Sequence, residues 1–140
     1  MLKTASTILL IVALFGAIYC LVLIVSPQTV SGNTLKVNEE LQNPAVTKAI
    51  YDVVRHLGAL GLAANIAALF ILFNGFKKGL RWGWWGFFIT AFIGWGYGLV
   101  RFIINGDTKN LIGQLIGIVL FLIGILLPIK IFFPKKPATS

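Results

Sequence analysis

The sequence predicts an all-α protein, a four-span transmembrane helix bundle with up-down-up-down connectivity, and three observations carry that expectation. Of 140 residues, 58% belong to the apolar set AVILMFWYC and only 11% are charged, against roughly half apolar and a quarter charged in an ordinary soluble domain. Four acids and twelve bases cannot cover the surface of a soluble core of this size, so disorder and a water-soluble monomer are excluded. The apolar residues fall in four runs long enough to cross a bilayer, because a hydrocarbon core of about 30 Å takes roughly 20 helical residues at about 1.5 Å each. The bases that make the net charge +8 lie between and beside these runs. They act as topology signals rather than as a surface for nucleic acid, and no nucleic-acid partner is expected.

The first run covers about 5–25. It exceeds the 7 to 15 apolar residues of a secretory signal, and Tyr19 before Cys20 spoils a lipoprotein cleavage site, so it is expected to stay as an anchor. The second covers about 50–76; Asn43 followed by Pro44 fits an N-cap and first helical position, so this helix begins ahead of the span and continues as one rod. The third and fourth cover about 82–104 and 111–133. Each is a helix, since hydrocarbon offers backbone amides no partner and these runs lack the alternation of a barrel strand. The stretch 26–49 reads as an external loop, whereas Asn74–Arg81 and Asn105–Asn110 are tight turns that make neighbouring helices antiparallel. The chain 1–140 thus reads as a single integral domain, multi-pass in the plasma membrane, with 134–140 as a solvated tail.

Orientation follows from the bases. Lys3, Lys77, Lys78, Arg81, Lys130, Lys135 and Lys136 fall on one side. Lys36, Lys48, Arg55, Arg101 and Lys109 fall on the other, together with all four acids, Glu39, Glu40, Asp52 and Asp107. Cytoplasmic loops retain the bases, so both termini are expected in the cytoplasm. Trp82, Trp84 and Trp85 follow a basic turn, where amphipathic indoles make an interfacial, lipid-facing belt.

Helices in lipid meet where small residues let backbones approach. Gly86, Thr90, Gly94 and Gly98 recur every four residues on the third run, with Gly83 extending the stripe at one end and Arg101 near the same face at the other. Gly113, Gly117 and Gly124 serve the fourth, Gly58, Gly61, Ala64 and Ala68 the second, and Ala13, Gly16, Ala17 and Cys20 the first. These faces suit packing within the bundle or against a second copy. Asn65 near mid-span is expected to make a helix-to-helix hydrogen bond, and the lone Cys20 excludes an internal disulfide and a cysteine-based metal cage.

Ionisable groups near hydrocarbon need a partner or water. Asp52, Arg55 and His56 stand three and four residues apart at the outer end of the second run, placing the carboxylate within reach of either cation. Tyr97 and Arg101 lie at similar depth on the third run, Gln114 on the fourth, and Tyr19 with Cys20 on the first. If the small-residue faces point inward, these side chains border an outer-leaflet pocket. Two guanidiniums against one carboxylate leave a positive charge, and an arginine fork matches phosphate or carboxylate, so an anionic amphiphile such as a lipid or a quinone-like molecule is the expected ligand. The plainer alternatives are a structural ion pair for Asp52 with Arg55, an interfacial anchor for Arg101 and a hydrogen-bonded interfacial ring for His56. One histidine with one aspartate makes no coordination shell, so no metal is expected. No catalytic or cofactor motif is present, and no cofactor beyond a bound lipid or quinone is expected. The expected role is therefore a non-enzymatic accessory subunit or scaffold, with membrane lipid and other membrane subunits or a second copy as partners. The alternatives are a subunit passing electrons or protons to a quinone, with His56 or Asp52 as relay, and a small anion transporter selecting through Arg55 and Arg101.

The Arg55-His56-Leu57-Gly58 opening, the small and apolar run from Ala59 to Phe73, the basic turn and the Trp82-Gly83-Trp84-Trp85 start of the next span resemble the DoxX-like group of small four-helix membrane proteins. The resemblance covers the four-span layout and rests on Arg55 and Gly58. It implies the same bundle, and, since some members are subunits of quinone-linked sulfur oxidation complexes, an association with quinone chemistry; it carries over no catalytic residue.

Overall fold

The computed structural model describes residues 1–31, 43–105 and 111–134, with the side chains at 95, 97–99, 101–105 and 111–114 outside that description. Every element among the described residues is helical: α1 (Leu2–Val25), α2 (Pro44–Ile71) running on through a π turn (Leu72–Phe76), α3 (Arg81–Asn105), α4 (Leu111–Leu126) and the short α5 (Ile129–Phe132). Among the described residues two helices are long and apolar enough to cross a bilayer, Leu2–Val25 and Pro44–Phe76, and only 17% of the most apolar window of each is buried. Apolar side chains therefore face outward in quantity: Phe15, Leu60, Phe70 and Ile93 are 70%, 69%, 66% and 67% exposed.

Asn43 caps α2 as its position predicts. Its Oδ1 accepts from the Ala45 amide at 2.9 Å, and its carbonyl takes the first ladder bond, from Thr47, at 2.9 Å. Asn43 thereby satisfies an amide that the first turn would leave free, while Pro44 has no N–H to satisfy. At its far end the helix does not stop at Asn74, where the sequence places a turn. It widens by one residue, with the Lys77 amide bonding the Leu72 carbonyl at 2.9 Å, and Asn74 Nδ2 donates to Phe70 O at 3.1 Å. The actual stop is a Schellman motif: Gly79 N bonds Phe76 O at 2.9 Å and Leu80 N bonds Gly75 O at 3.1 Å. Gly79 sits at φ +69°, a left-handed conformation that a side chain would strain.

The fourth run is not one rod of 111–133. It breaks after Leu126 at a turn through Leu127 and Pro128, since Pro128 brings no N–H to the ladder and its ring crowds the preceding turn. At 16 residues α4 is about 24 Å long, short of the span expected there.

The chain divides into two compact units, one of Leu14–Ile66 and one of Met1–Ala13 with the chain from Ala67 onward. In the first, α1 and α2 run antiparallel and close. A Cβ at Gly16 would meet Asn65 Oδ1 at 2.5 Å, one at Gly61 would meet Cys20 Sγ at 2.6 Å, and one at Gly58 would meet the Cys20 carbonyl and Leu23 at 2.9 Å. Each glycine is a notch filled by a side chain or backbone of the facing helix, which is how small residues give helices contact area without a hydrophobic driving force. Asn65 makes the expected bond between helices, its Nδ2 donating to Cys20 Sγ at 3.8 Å, and also donates at 2.8 Å to Gly61 O of its own helix.

In the second unit, Ala5 and Leu9 share a buried cluster with Leu72, Phe76, Trp84, Phe87, Phe121, Ile125 and Phe132. The closest approach joins Gly75 and Gly83, where a Cβ on Gly75 would lie 2.7 Å from Gly83 Cα. Gly124 receives Leu9 in the same way. Among the described residues the predicted stripe on α3 is used only in part: a Cβ on Gly86 would meet Ile71 at 3.3 Å, Thr90 hydrogen-bonds back to Gly86 O at 2.8 Å, and Gly94 is exposed with no described residue within 4 Å of its Cβ position. Gly117 is half-buried, and the side-chain surroundings of Gly98 and Gly113 lie outside the described residues. Ser6 is buried, and its hydroxyl finds no hydrogen-bond partner among the described residues.

Trp84 departs from the belt expected of it. It is 6% exposed, stacks on Phe88 with ring centres 5.2 Å apart and donates Nε1–H to Ile125 O at 3.0 Å. Trp82 and Trp85 keep the half-exposed positions of an interfacial residue.

Candidate functional site

The N-terminal half of α2 brings together the three polar residues that helical spacing predicts. Arg55 Nη1 lies 3.1 Å from Asp52 Oδ1, and the two side chains are 49% and 48% exposed. The carboxylate does not serve both cations. His56 instead uses its Nδ1 on the backbone carbonyl of Asp52, at 2.7 Å. A carbonyl only accepts, so Nδ1 carries the hydrogen, and in the neutral ring Nε2 is left as an outward acceptor. The guanidinium has five donors and gives one to Asp52, leaving the rest of its fork for another oxygen acid. The arrangement can hold a carboxylate or phosphate and can accept a proton at His56 Nε2.

Tyr97 and Arg101 on α3 and Gln114 on α4 have side chains outside the described residues. Among the described residues no three His, Cys, Asp or Glu side chains gather as a metal shell would need. An open groove of about 450 Å³ on α4, lined by Val119, Leu122, Ile123, Leu126 and Leu127, is almost wholly apolar and offers a charged head no partner.

Because the pair is half in solvent, it adds little to stability. Asp52→Ala is expected to change unfolding free energy by less than about 1 kcal/mol, read as the thermal midpoint in detergent. The substitution spares the carbonyl that His56 uses, so the imidazole stays in place. A loss of about 2 kcal/mol or more would mean that the pair is desolvated.

A second polar feature went unnoticed in the sequence because its members read only as topology signals. Lys77 Nζ lies 3.9 Å above the Phe73 ring, one helical turn back. Arg81 Nε donates to Phe132 O at 3.0 Å, and its guanidinium is 5.9 Å from the Phe133 ring. A cation at the carbonyl end of a short helix satisfies an acceptor that has no amide beyond it. The spacing of Arg81 and Trp84, three residues apart on the first turn of a helix, is the signal that both face one side, where Trp84 reaches Ile125 of α4 and Arg81 reaches Phe132 of α5. Comparison with family models, with curated proteins and with solved structures finds no match to this chain.

Proposed function

We propose that the chain is a multi-pass plasma-membrane protein of four spans with both termini cytoplasmic, akin in layout to the DoxX-like group. It works as an accessory subunit or scaffold that holds an anionic amphiphile at Arg55 on the N-terminal half of α2. One observation supports this above the rest: the helices turn large apolar side chains outward along their length, while α2 carries a half-exposed Arg55 whose fork is only partly used by Asp52. Outward apolar faces suit acyl chains, and an incompletely engaged guanidinium beside an imidazole suits the acidic head of the same molecule. Membrane lipid is then the first partner, and other membrane subunits or a second copy cover part of the apolar surface.

Purification in mild detergent followed by mass spectrometry of retained lipids and partner chains tests this reading. A charge-assisted contact is worth about 1.5–3 kcal/mol, so Arg55→Ala is expected to lower retention of an anionic lipid about tenfold or more. A lone monomer that keeps no anionic amphiphile, or equal retention by Arg55→Ala, would count against it. Arg101→Ala, made separately, asks whether α3 contributes to the same binding.

The outward Nε2 of His56 favours one second reading, a subunit that relays protons to a membrane quinone. It requires His56→Ala to lower turnover of the assembled complex with assembly intact.

A further inference from the structure

We infer that the end of the second unit formed by the α2–α3 turn and α5 is a docking surface for anionic phospholipid headgroups, distinct from the Arg55 site. Arg55 stands within α2, whereas the bases of this surface come after its π turn in the chain. Four bases meet on this surface: Lys77 and Lys78 in the turn, Arg81 at the start of α3 and Lys130 in α5, all exposed. Two contacts bind the turn to α5 and so bring the four together. Arg81 Nε bonds Phe132 O at 3.0 Å, and the Cβ position of Gly79 lies 3.7 Å from Ile131 Cγ2.

Among the described residues of the unit no Asp or Glu occurs to neutralise this charge. Four cations held close together repel one another, and the arrangement is relieved by anions in the medium it faces. The neighbouring side chains say which medium that is. Trp82 and Trp85 are 49% and 48% exposed beside Arg81; half-exposed indoles beside lysines suit the headgroup level of a bilayer, where ring and charge are both satisfied. A free phosphate would use the bases and leave the indoles in water. A phospholipid surface uses both, and each base near an acidic leaflet gains about fivefold in association.

The inference rests on the membrane reading, and its test separates the two. Three of the four tryptophans, Trp82, Trp84 and Trp85, lie at this end, so intrinsic fluorescence reports on it. The full chain is reconstituted into phosphatidylcholine vesicles containing either brominated phosphatidylglycerol or brominated phosphatidylcholine at equal mole fraction, and quenching is compared. The expected result is at least about a fivefold preference for the anionic quencher, falling as salt rises from about 0.05 to about 0.5 M and approaching equality in the K77Q/K78Q/K130Q variant. Arg81 is left intact because it holds α5. If the triple variant does not fold, as judged by its helical circular dichroism, the salt dependence of the unaltered chain decides. Equal quenching by both lipids, a preference insensitive to salt, or an undiminished preference in a folded triple variant would overturn the inference. So would displacement of the anionic quencher by inorganic phosphate at constant ionic strength, which would mark a site for free phosphate. Failure of the chain to float with vesicles at all would overturn the membrane reading and this inference with it.

Discussion

Gly83→Val is expected to destabilise the protein by about 3 kcal/mol or more, at the upper end of what overpacking costs, and to abolish monodisperse elution in detergent. A Cβ on Gly83 would fall inside the backbone of Gly75 and Phe76, closer than any side chain approaches a neighbour in a real structure. Backbone cannot rotate away as a side-chain tip can. The π turn and α3 would have to separate, and that would open the cluster of Leu72, Phe76 and Trp84 behind them. Gly94→Ala on the same helix is the control with the opposite sign. Its Cβ meets no described residue within 4 Å, so replacing a helical glycine stabilises by up to about 1 kcal/mol through helix propensity alone. Thermal unfolding followed by circular dichroism measures both. If Gly94→Ala destabilises instead, that face of α3 is covered by another chain. If Gly83→Val is neutral, the close approach to Gly75 is not part of the folded state.

This contrast also shows how far the sequence could be read. Periodicity finds helix faces when the contact repeats every three or four residues, and so Gly16 and Cys20 on α1 and Gly58 and Gly61 on α2 were legible as packing positions. The same rule takes Gly94 into the stripe with Gly86, because spacing along one helix says nothing about how far its neighbour extends. Gly75 was missed for a different reason. It lies in a segment whose Asn, Gly and two lysines read as a turn, and a one-residue widening of the ladder at Leu72–Phe76 has no composition of its own. Pro128 was legible in principle, since a proline within an apolar run removes an amide from the ladder, but hydropathy carries straight through it. At the site, Asp52, Arg55 and His56 follow helical spacing as expected. The choice of His56 for a backbone carbonyl over the carboxylate depends on rotamers, which spacing does not determine.

Trp84→Ala is expected to cost about 3 kcal/mol, as removal of a buried indole does elsewhere, and Trp84→Phe about 1 kcal/mol. The two substitutions separate the roles of the ring. Its plane stacks on Phe88 and its edge meets the Trp85 and Phe133 rings at 4.9 and 5.2 Å, contacts that alanine loses and phenylalanine largely keeps. Its Nε1 hydrogen goes to Ile125 O, a carbonyl one turn ahead of the chain break at Pro128. Helix ends leave carbonyls without intrahelical donors, and in a water-poor setting each must find a partner from elsewhere in the fold. Phenylalanine fills the space and leaves that carbonyl alone, so its cost measures the hydrogen bond. Pro128→Ala ties the two together: with an amide restored at 128 the α4 ladder can continue, and Trp84→Phe in that background should cost measurably less than in the unaltered chain. A double-mutant cycle read by thermal unfolding gives the coupling. Strict additivity would mean that the indole bond and the helix break are independent, whereas a Trp84→Phe cost near zero would mean that Trp84 is held by its ring contacts alone.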